Sequence, residues 1–356
     1  MVFKKRLQKA LAKLKNLKQE ALLVSCPVNI FYLTGLSDIE GYLLISHKKT
    51  IFFTDFRYQL KCSPECKAAG IDLAVYNFGI FDFIAAGVKK AGLKKIGFEG
   101  KLIYYKEFSE FKKSFEKHGL KFAATYDFIK NLRKIKEKQE LKLIQKSVNI
   151  ASEAFDFIRE TAYEGLTEKF LALEVERFLK IKADPELAFP PIVASGLSSA
   201  QPHYRPGLEK IQINKPFLID LGAKYRGYCS DLTRVFFLSK MPNYLKKIID
   251  IVKKAKDLSI SKIRSGVKAQ QIDKTAREFI AKKGYGKFFG HSLGHGVGLQ
   301  VHELPSINSK NEERLQEGMV ITIEPGIYLP GKFGVREESM VLVKKNGAQI
   351  LERKII

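Results

Sequence analysis

The chain has 356 residues, 45% of them hydrophobic and 28% charged, a composition that fits a soluble globular protein of two domains, each with its own core. No run of 18 apolar residues occurs, so a membrane-spanning helix is not expected. Lysine and arginine total 62 against 38 acids, a formal charge of +24, but the cations are spread over nearly every predicted helix, which points to a solvated basic surface and away from a nucleic-acid-binding patch.

The chain opens on MVFKKRLQKALAKLKNL, where Phe3, Leu7, Leu11 and Leu14 recur at helical spacing among lysines. It lacks the continuous apolar stretch and small-residue cleavage site of a secretory signal, so an ordinary first helix of a domain is expected. Strands are expected at Ala21 to Ser25, Tyr42 to Ser46, Ile51 to Thr54 and Lys95 to Phe98, with helices at Phe81 to Lys90 and Tyr105 to Lys117. This makes residues 1–130 a small α/β domain with a mixed sheet. Cys26, Cys62, Cys66 and Cys229 contain no CxxC pair, and the CxxxC of Cys62 and Cys66 has no second cluster. A reducing cytoplasm is therefore the expected location.

The charged segment Asn131 to Lys142 marks the predicted boundary, and residues 131–356 form the second domain. Two long helices come first, the earlier one carrying Leu143, Ile144, Val148, Ala151 and Phe155. A proline-bearing loop from Phe189 to Gly207 and a hairpin follow. Helices at about Asn243 to Arg264 and Ala269 to Lys283 then precede closing antiparallel strands. Helices set against antiparallel strands indicate an α+β architecture.

Three of the six histidines fall in HSLGHGVGLQVH, His291 to His302, and imidazoles crowded into a glycine-rich segment suggest a polar site. The hairpin FLIDLGAKYRGYCSDLTRVFF sets Asp220 and Asp231 between apolar flanks. If its strands pair about Tyr225 and Arg226, the two acids lie directly opposite each other on one face. Like charges there repel, and an ionised carboxylate is costly to bury unless paired or coordinated; a divalent cation between them removes both problems. MVITIEPG ends a β-branched strand at Glu324, where Pro325 stops the ladder. In GVREESMVLV, strand alternation puts Arg336, Glu338 and Met340 on one face and Glu337 on the other. Two Asp, two Glu and a His make a set of hard oxygen donors with one imidazole, suited to a pair of Mn, Co, Fe or Zn ions bridged by carboxylates.

These residues resemble the pita-bread metallopeptidases, in particular the Xaa-Pro dipeptidases (prolidases) and Xaa-Pro aminopeptidases (aminopeptidase P). The similarity covers nearly the whole chain: PVNIFYLTGL and FFTDFRY resemble the creatinase-like N-terminal domain of that group. The five metal ligands of the family fall on Asp220, Asp231, His295, Glu324 and Glu338, at intervals of 11, 64, 29 and 14 residues. The resemblance implies that Asp220 and His295 each serve one metal and that Asp231 and Glu338 bridge. It gives Glu324 a double role, as ligand and as the base that takes a proton from water and returns it to the leaving nitrogen. His203, in AQPHYRPG, matches a loop histidine that stabilises the oxyanion, His291 and His302 a substrate-facing pair, and Arg336 a residue holding a ligand carboxylate. A proline leaving group offers no N–H, so a dedicated pocket is required.

The expectation is thus a dinuclear metallo-exopeptidase, with Mn the expected ion, acting on Xaa-Pro dipeptides or on peptides with proline second. A homodimer is expected, with no membrane or nucleic-acid partner. A methionine-aminopeptidase-like reading is disfavoured by the N-terminal domain, the 14-residue Glu324–Glu338 interval and His291. A noncatalytic scaffold or nucleic-acid-binding relative typically loses ligands, and none is lost here. One departure stands out. Relatives usually carry an aliphatic residue where Glu337 sits, which is harmless only if Glu337 points away from the metals.

Overall fold

A computed structural model describes residues 2–353 and divides after Arg133 into two compact units. The first contains α1 (Val2–Leu14), β1 (Ala21–Val24), α2 (Pro27–Thr34), β2 (Tyr42–Ser46), β3 (Thr50–Asp55), α3 (Phe56–Ala69), β4 (Asp72–Tyr76), α4 (Ile80–Lys90), β5 (Lys95–Glu99), α5 (Tyr105–Lys117), β6 (Lys121–Thr125) and α6 (Phe128–Arg133). The strands form one sheet in the order β4-β3-β2-β1-β5-β6. Its outer pairs β3–β4 and β5–β6 are parallel, as is β1–β5, while β1–β2 and β2–β3 are antiparallel, so the sheet is mixed. All four residues of β1 are buried, as expected of a central strand covered on both faces. Ile84, Ala85 and Val88 of α4 and Phe111 and Phe115 of α5 recur at helical spacing and close one face of the sheet.

Sequence periodicity alone passed over α2, α3, β4 and β6. The boundary signals of α2 were nonetheless present: Pro27 stands at its first turn, and Gly35 ends it with φ of 84°. Cys62 and Cys66 lie one turn apart on α3, both buried and both free thiols.

The second unit runs through α7 (Lys138–Thr161), α8 (Glu168–Lys182), β7 (Ile192–Ser195), β8 (Phe217–Leu221), β9 (Lys224–Tyr225), β10 (Tyr228–Cys229), β11 (Leu232–Phe236), α9 (Asn243–Lys262), α10 (Ala269–Lys282), β12 (Gly294–Gly296), β13 (Glu303–Ile307), β14 (Val320–Ile323), β15 (Gly326–Leu329), β16 (Phe333–Arg336), β17 (Ser339–Lys344) and β18 (Gly347–Ile350). Sheets of order β11-β8-β7 and β13-β12-β14-β17-β18 carry the site. The 24-residue α7 starts with a reciprocal cap between Glu137 and Glu140. The loop expected over 189–207 encloses a strand, because the β-rich run IVAS of β7 pairs with β8.

Alternation decides what faces the site. Ile321 and Ile323 of β14 and Val341 and Val343 of β17 pack in one core with Ile248, Val252 and Ala255 of α9 and Ile272 and Ala276 of α10. Thr322 and Met340, and with them the flanking Glu324 and Glu338, project from the opposite face. Among the described residues no helix is long and apolar enough to cross a membrane.

Candidate metal centre

The hairpin of β8 and β11 sets the first two acids, in a register that differs from the sequence expectation. Its turn is centred on Arg226 and Gly227, with φ of 48° and 82°, and Tyr225 pairs with Tyr228. Two consecutive positive φ values describe the two-residue turn that matches strand twist, and Gly227 tolerates its position because it has no Cβ. The Asp184 carboxylate fastens the turn by accepting from the Arg226 and Gly227 amides at 2.8 and 2.7 Å. Asp220 consequently faces Thr233, not Asp231. Asp231 and Thr233 are two residues apart and share a face, so the two acids sit diagonally on that face.

The second sheet supplies the remaining donors. Gly294 lets β12 approach β14 closely, since a Cβ there would stand 2.0 Å from the Thr322 carbonyl oxygen. The His295 amide then donates to Thr322 Oγ1 at 3.1 Å, and that hydroxyl stands 3.3 Å from Glu324 Oε1. His295 Nε2 lies 3.3 Å from Glu324 Oε1 and 3.5 Å from Asp231 Oδ2. The stretch expected as one strand through 334–343 is interrupted: β16 ends at Arg336 and β17 begins at Ser339. Glu337 and Glu338 occupy the break and still face opposite ways. Glu338 Oε2 accepts from Thr233 Oγ1 at 2.8 Å, whereas the Glu337 oxygens meet Lys253 and Lys256 of α9, each at 3.8 Å. Asp231, His295 and Glu338 bring one potential ligand atom each to within 4.8 Å of one another.

Arg336 ties these pieces together. Its Nη2 donates to Asp220 Oδ2 at 2.7 Å, Nε to Thr233 Oγ1 at 2.9 Å, and Nη1 to the Tyr328 hydroxyl at 2.8 Å and the Pro202 carbonyl at 3.3 Å. The Tyr328 hydroxyl in turn lies 3.1 Å from His291 Nε2. Thr233 and Tyr328 had not been singled out from the sequence. Thr233 carried a readable signal, since it is a polar residue two positions after Asp231 on a buried strand; Tyr328 in GIYL resembled ordinary core. His302, exposed as a residue but with its ring half covered, sets that ring 4.3 Å from the ring of His295, centroid to centroid, in a T-shaped contact. His203, exposed beyond the tight turn Gly196–Ala200, is close enough for its charge to act on His302.

The electrostatics describe a site short of positive charge. Burial, and then the neighbouring carboxylates, push Asp231 and Glu338 well above the usual carboxylate range. Burial also raises Asp220, against the pull of Arg336. Glu324 is likewise desolvated, but its hydrogen bond to His295 and the His295 charge outweigh that, and it lies below its ordinary value. Burial opposes protonation of His295, yet Glu324 raises it. His291 and His302 are lowered, chiefly by burial. Asp220 Oδ1 and Glu338 Oε1 are buried with no hydrogen-bond partner. Unpaired buried carboxylate oxygens converging with one imidazole fit divalent cations, which satisfy the lone pairs and cancel the repulsion together.

Comparison with known proteins gives a consistent picture. Residues 142–345 match metallopeptidase family M24, and residues 6–135 match the creatinase/prolidase N-terminal domain. An Xaa-Pro dipeptidase of Pyrococcus furiosus is 37% identical over 357 residues, covering 98% of each chain. Among solved structures, an Xaa-Pro dipeptidase from Bacillus anthracis superposes with a TM-score of 0.94 at 32% identity, covering 99% of this chain and 98% of the other. An X-Pro aminopeptidase from Thermotoga maritima gives 0.89 at 32% identity, covering 98% of each chain.

Proposed function

Because the chain belongs to metallopeptidase family M24, we propose that it is a metal-dependent exopeptidase that hydrolyses the bond preceding proline, in Xaa-Pro dipeptides or at the N-terminus of longer peptides. The observation that carries this reading is the pair of orphaned, buried oxygens on Asp220 and Glu338, in a cleft where His295 also meets Asp231 and Glu324. We assign catalysis to the second unit. Asp220, Asp231, His295, Glu324 and Glu338 would hold two divalent cations, and the dominance of oxygen donors favours manganese. When bound, such cations supply the Lewis acidity that activates water and polarises a carbonyl.

The chain's own groups do the rest. Glu324, below its ordinary value and beside His295, is ionised and placed to accept a proton from water. Returning that proton to the leaving nitrogen completes the cleavage, which a proline nitrogen requires because it departs as a secondary amine. His302, lowered by partial burial and by the His295 charge, would serve as a neutral hydrogen-bonding group for substrate, and His203 would stabilise the developing oxyanion. Tyr328 fixes the orientation of His291 on one side and receives the Arg336 guanidinium on the other. The methionine-aminopeptidase-like and noncatalytic alternatives are not favoured: the relative and the two solved structures reported above are named Xaa-Pro peptidases, and no acid of the ligand set is missing.

Purified protein loaded with Mn²⁺ and assayed on Ala-Pro and on a longer peptide beginning Xaa-Pro tests the reading. Hydrolysis of either, abolished by chelation, supports it, and the ratio separates dipeptidase from aminopeptidase. Less than about one ion per chain together with tight nucleic-acid binding would instead identify a scaffold. Free thiols at all four cysteines support a proposed cytoplasmic location. A homodimer is proposed as well, and sedimentation of the purified chain tests it.

A further inference from the structure

Glu337, next to Glu338 in the chain, is part of a buried charge cluster that the chemistry above does not use. Its side chain is 4% exposed and lies 3.8 Å from Nζ of Lys256, itself 11% exposed. The second Lys contact, Lys253, stands largely in solvent. Two more buried charges grip the same stretch of chain. Arg234, 13% exposed, donates through Nη1 to the carbonyl oxygens of Thr233, at 2.8 Å, and of Glu338, while its Nη2 lies 3.5 Å from Oε1 of Glu352. Glu352, 4% exposed, accepts the Met340 amide on Oε2 at 3.2 Å.

The four side chains comprise two cations and two anions. A lone buried charge is strongly disfavoured, while a balanced set is tolerated. Their attachments fall on three of four consecutive residues: the Glu337 side chain, the Glu338 carbonyl and the Met340 amide. This is also where the sheet ladder fails, since residues 337 and 338 belong to neither β16 nor β17. The backbone bonds that remain there are long: Glu337 to the Pro325 carbonyl at 3.4 Å and Glu338 to the Thr233 carbonyl at 3.3 Å. Burial lowers the Lys256 ammonium below its ordinary value, with Glu337 as the leading opposing influence.

We propose that Arg234, Lys256, Glu337 and Glu352 are positioning residues, a charge-balanced set that fixes the backbone of residues 337–340 and so holds the Glu338 carboxylate against Asp231 and His295. This rests on the reading of Glu338 as a metal ligand. The set replaces the missing ladder bonds at the break between β16 and β17, where Glu338 leaves the sheet.

The test is calorimetric titration of the metal-stripped full chain with MnCl₂ at 25 °C, with folding checked by circular dichroism. The variants are Lys256→Met, Glu337→Leu, Glu352→Gln and the double Lys256→Met/Glu337→Leu. Each single variant should remain folded at 25 °C and bind Mn²⁺ about 10- to 100-fold more weakly, the range typical of partners that orient a ligand. The double variant, which removes both charges together, should recover most of the loss. Should a Lys256 or Glu337 variant fail to fold, the near-isosteric Glu352→Gln decides. Folded variants that melt at lower temperature yet bind Mn²⁺ as tightly as wild type overturn the inference, because the cluster then serves stability alone. Wild-type protein that binds no Mn²⁺ and cleaves no Xaa-Pro peptide removes the peptidase reading and this inference with it.

Discussion

Arg336 holds one oxygen of Asp220 at 2.7 Å while the other oxygen of the same carboxylate is buried without a donor. The two halves of one side chain thus have separate tasks: one is fixed by the protein, the other is left for a cation. The guanidinium reaches Asp220, Thr233, Tyr328 and the Pro202 carbonyl at once, a fan of donors that an ammonium cannot reproduce. Arg336→Lys should therefore weaken Mn²⁺ binding by about 10- to 100-fold despite keeping the charge. Calorimetric titration of the folded variant measures this, and wild-type affinity would show that the fork geometry is irrelevant.

Asp231 and His302 both touch His295 but should behave differently when removed. Asp231→Ala deletes a member of the three-residue ligand cluster and should abolish hydrolysis and lower bound metal together. His302 contributes only a ring contact to His295. His302→Ala should leave metal content unchanged and slow turnover by about a hundredfold, a typical worth for a group acting on the reacting atoms. Metal analysis beside steady-state kinetics separates the two, and full activity in Asp231→Ala would mean that the site lies elsewhere.

His291 gives the stability curve a predictable acid limb. Burial lowers its folded-state value below the unfolded one, so protons bind the unfolded chain more readily. Its contribution is fully present above about pH 6.5, the unfolded value, and is lost as pH falls toward the folded value. His291→Gln should consequently lose less stability than wild type between about pH 6.5 and 5. Urea titrations of both proteins at several pH values in that range provide the comparison; identical slopes would place His291 in a solvent-like setting.

The thiols supply a check on the first unit. Burial pushes Cys66 up to about 12 and raises Cys62 as well, so neither forms appreciable thiolate at pH 8. Native protein should react with a thiol reagent at neither position, and protein unfolded in guanidinium should titrate all four cysteines. Mass mapping of the modified residues identifies them. Rapid native labelling of Cys62 or Cys66 would contradict the packing of α3.

Much of the site was readable in the sequence because its chemistry depends on residue types that strands rarely bury. Asp220 between Leu218 and Leu221, or Glu324 after four β-branched or apolar residues, has few harmless explanations. Long amphipathic elements were equally plain, as α9 and α10 show. The hairpin register differs by one turn residue from the spacing expected, because the position of a two-residue turn depends on which residues adopt positive φ, and Gly222 competes with Gly227 for that role on composition alone. The short β7 was absorbed into a proline-rich loop, since four apolar residues carry little periodicity. The partners of the Thr233 and Glu337 side chains lie more than 70 residues away and meet them only on folding, and Tyr328 takes its meaning from Arg336 and His291 on other strands and loops.

The alternation along β14 and β17 also determines which kinds of genetic change the cleft can survive. One face of each strand belongs to the helices and the other to the ligands, so Ile323 and Glu324, or Val341 and Met340, are neighbours with opposite destinations. Substitutions on the helical face trade one apolar shape for another. A single inserted or deleted codon within Val320–Ile323 would instead drive Glu324 toward the greasy side and swing an isoleucine into the cleft. The length of these two strands is thus guarded more strictly than their spelling, and lineages descended from this chain should vary in its turns and termini long before they add or lose a residue there.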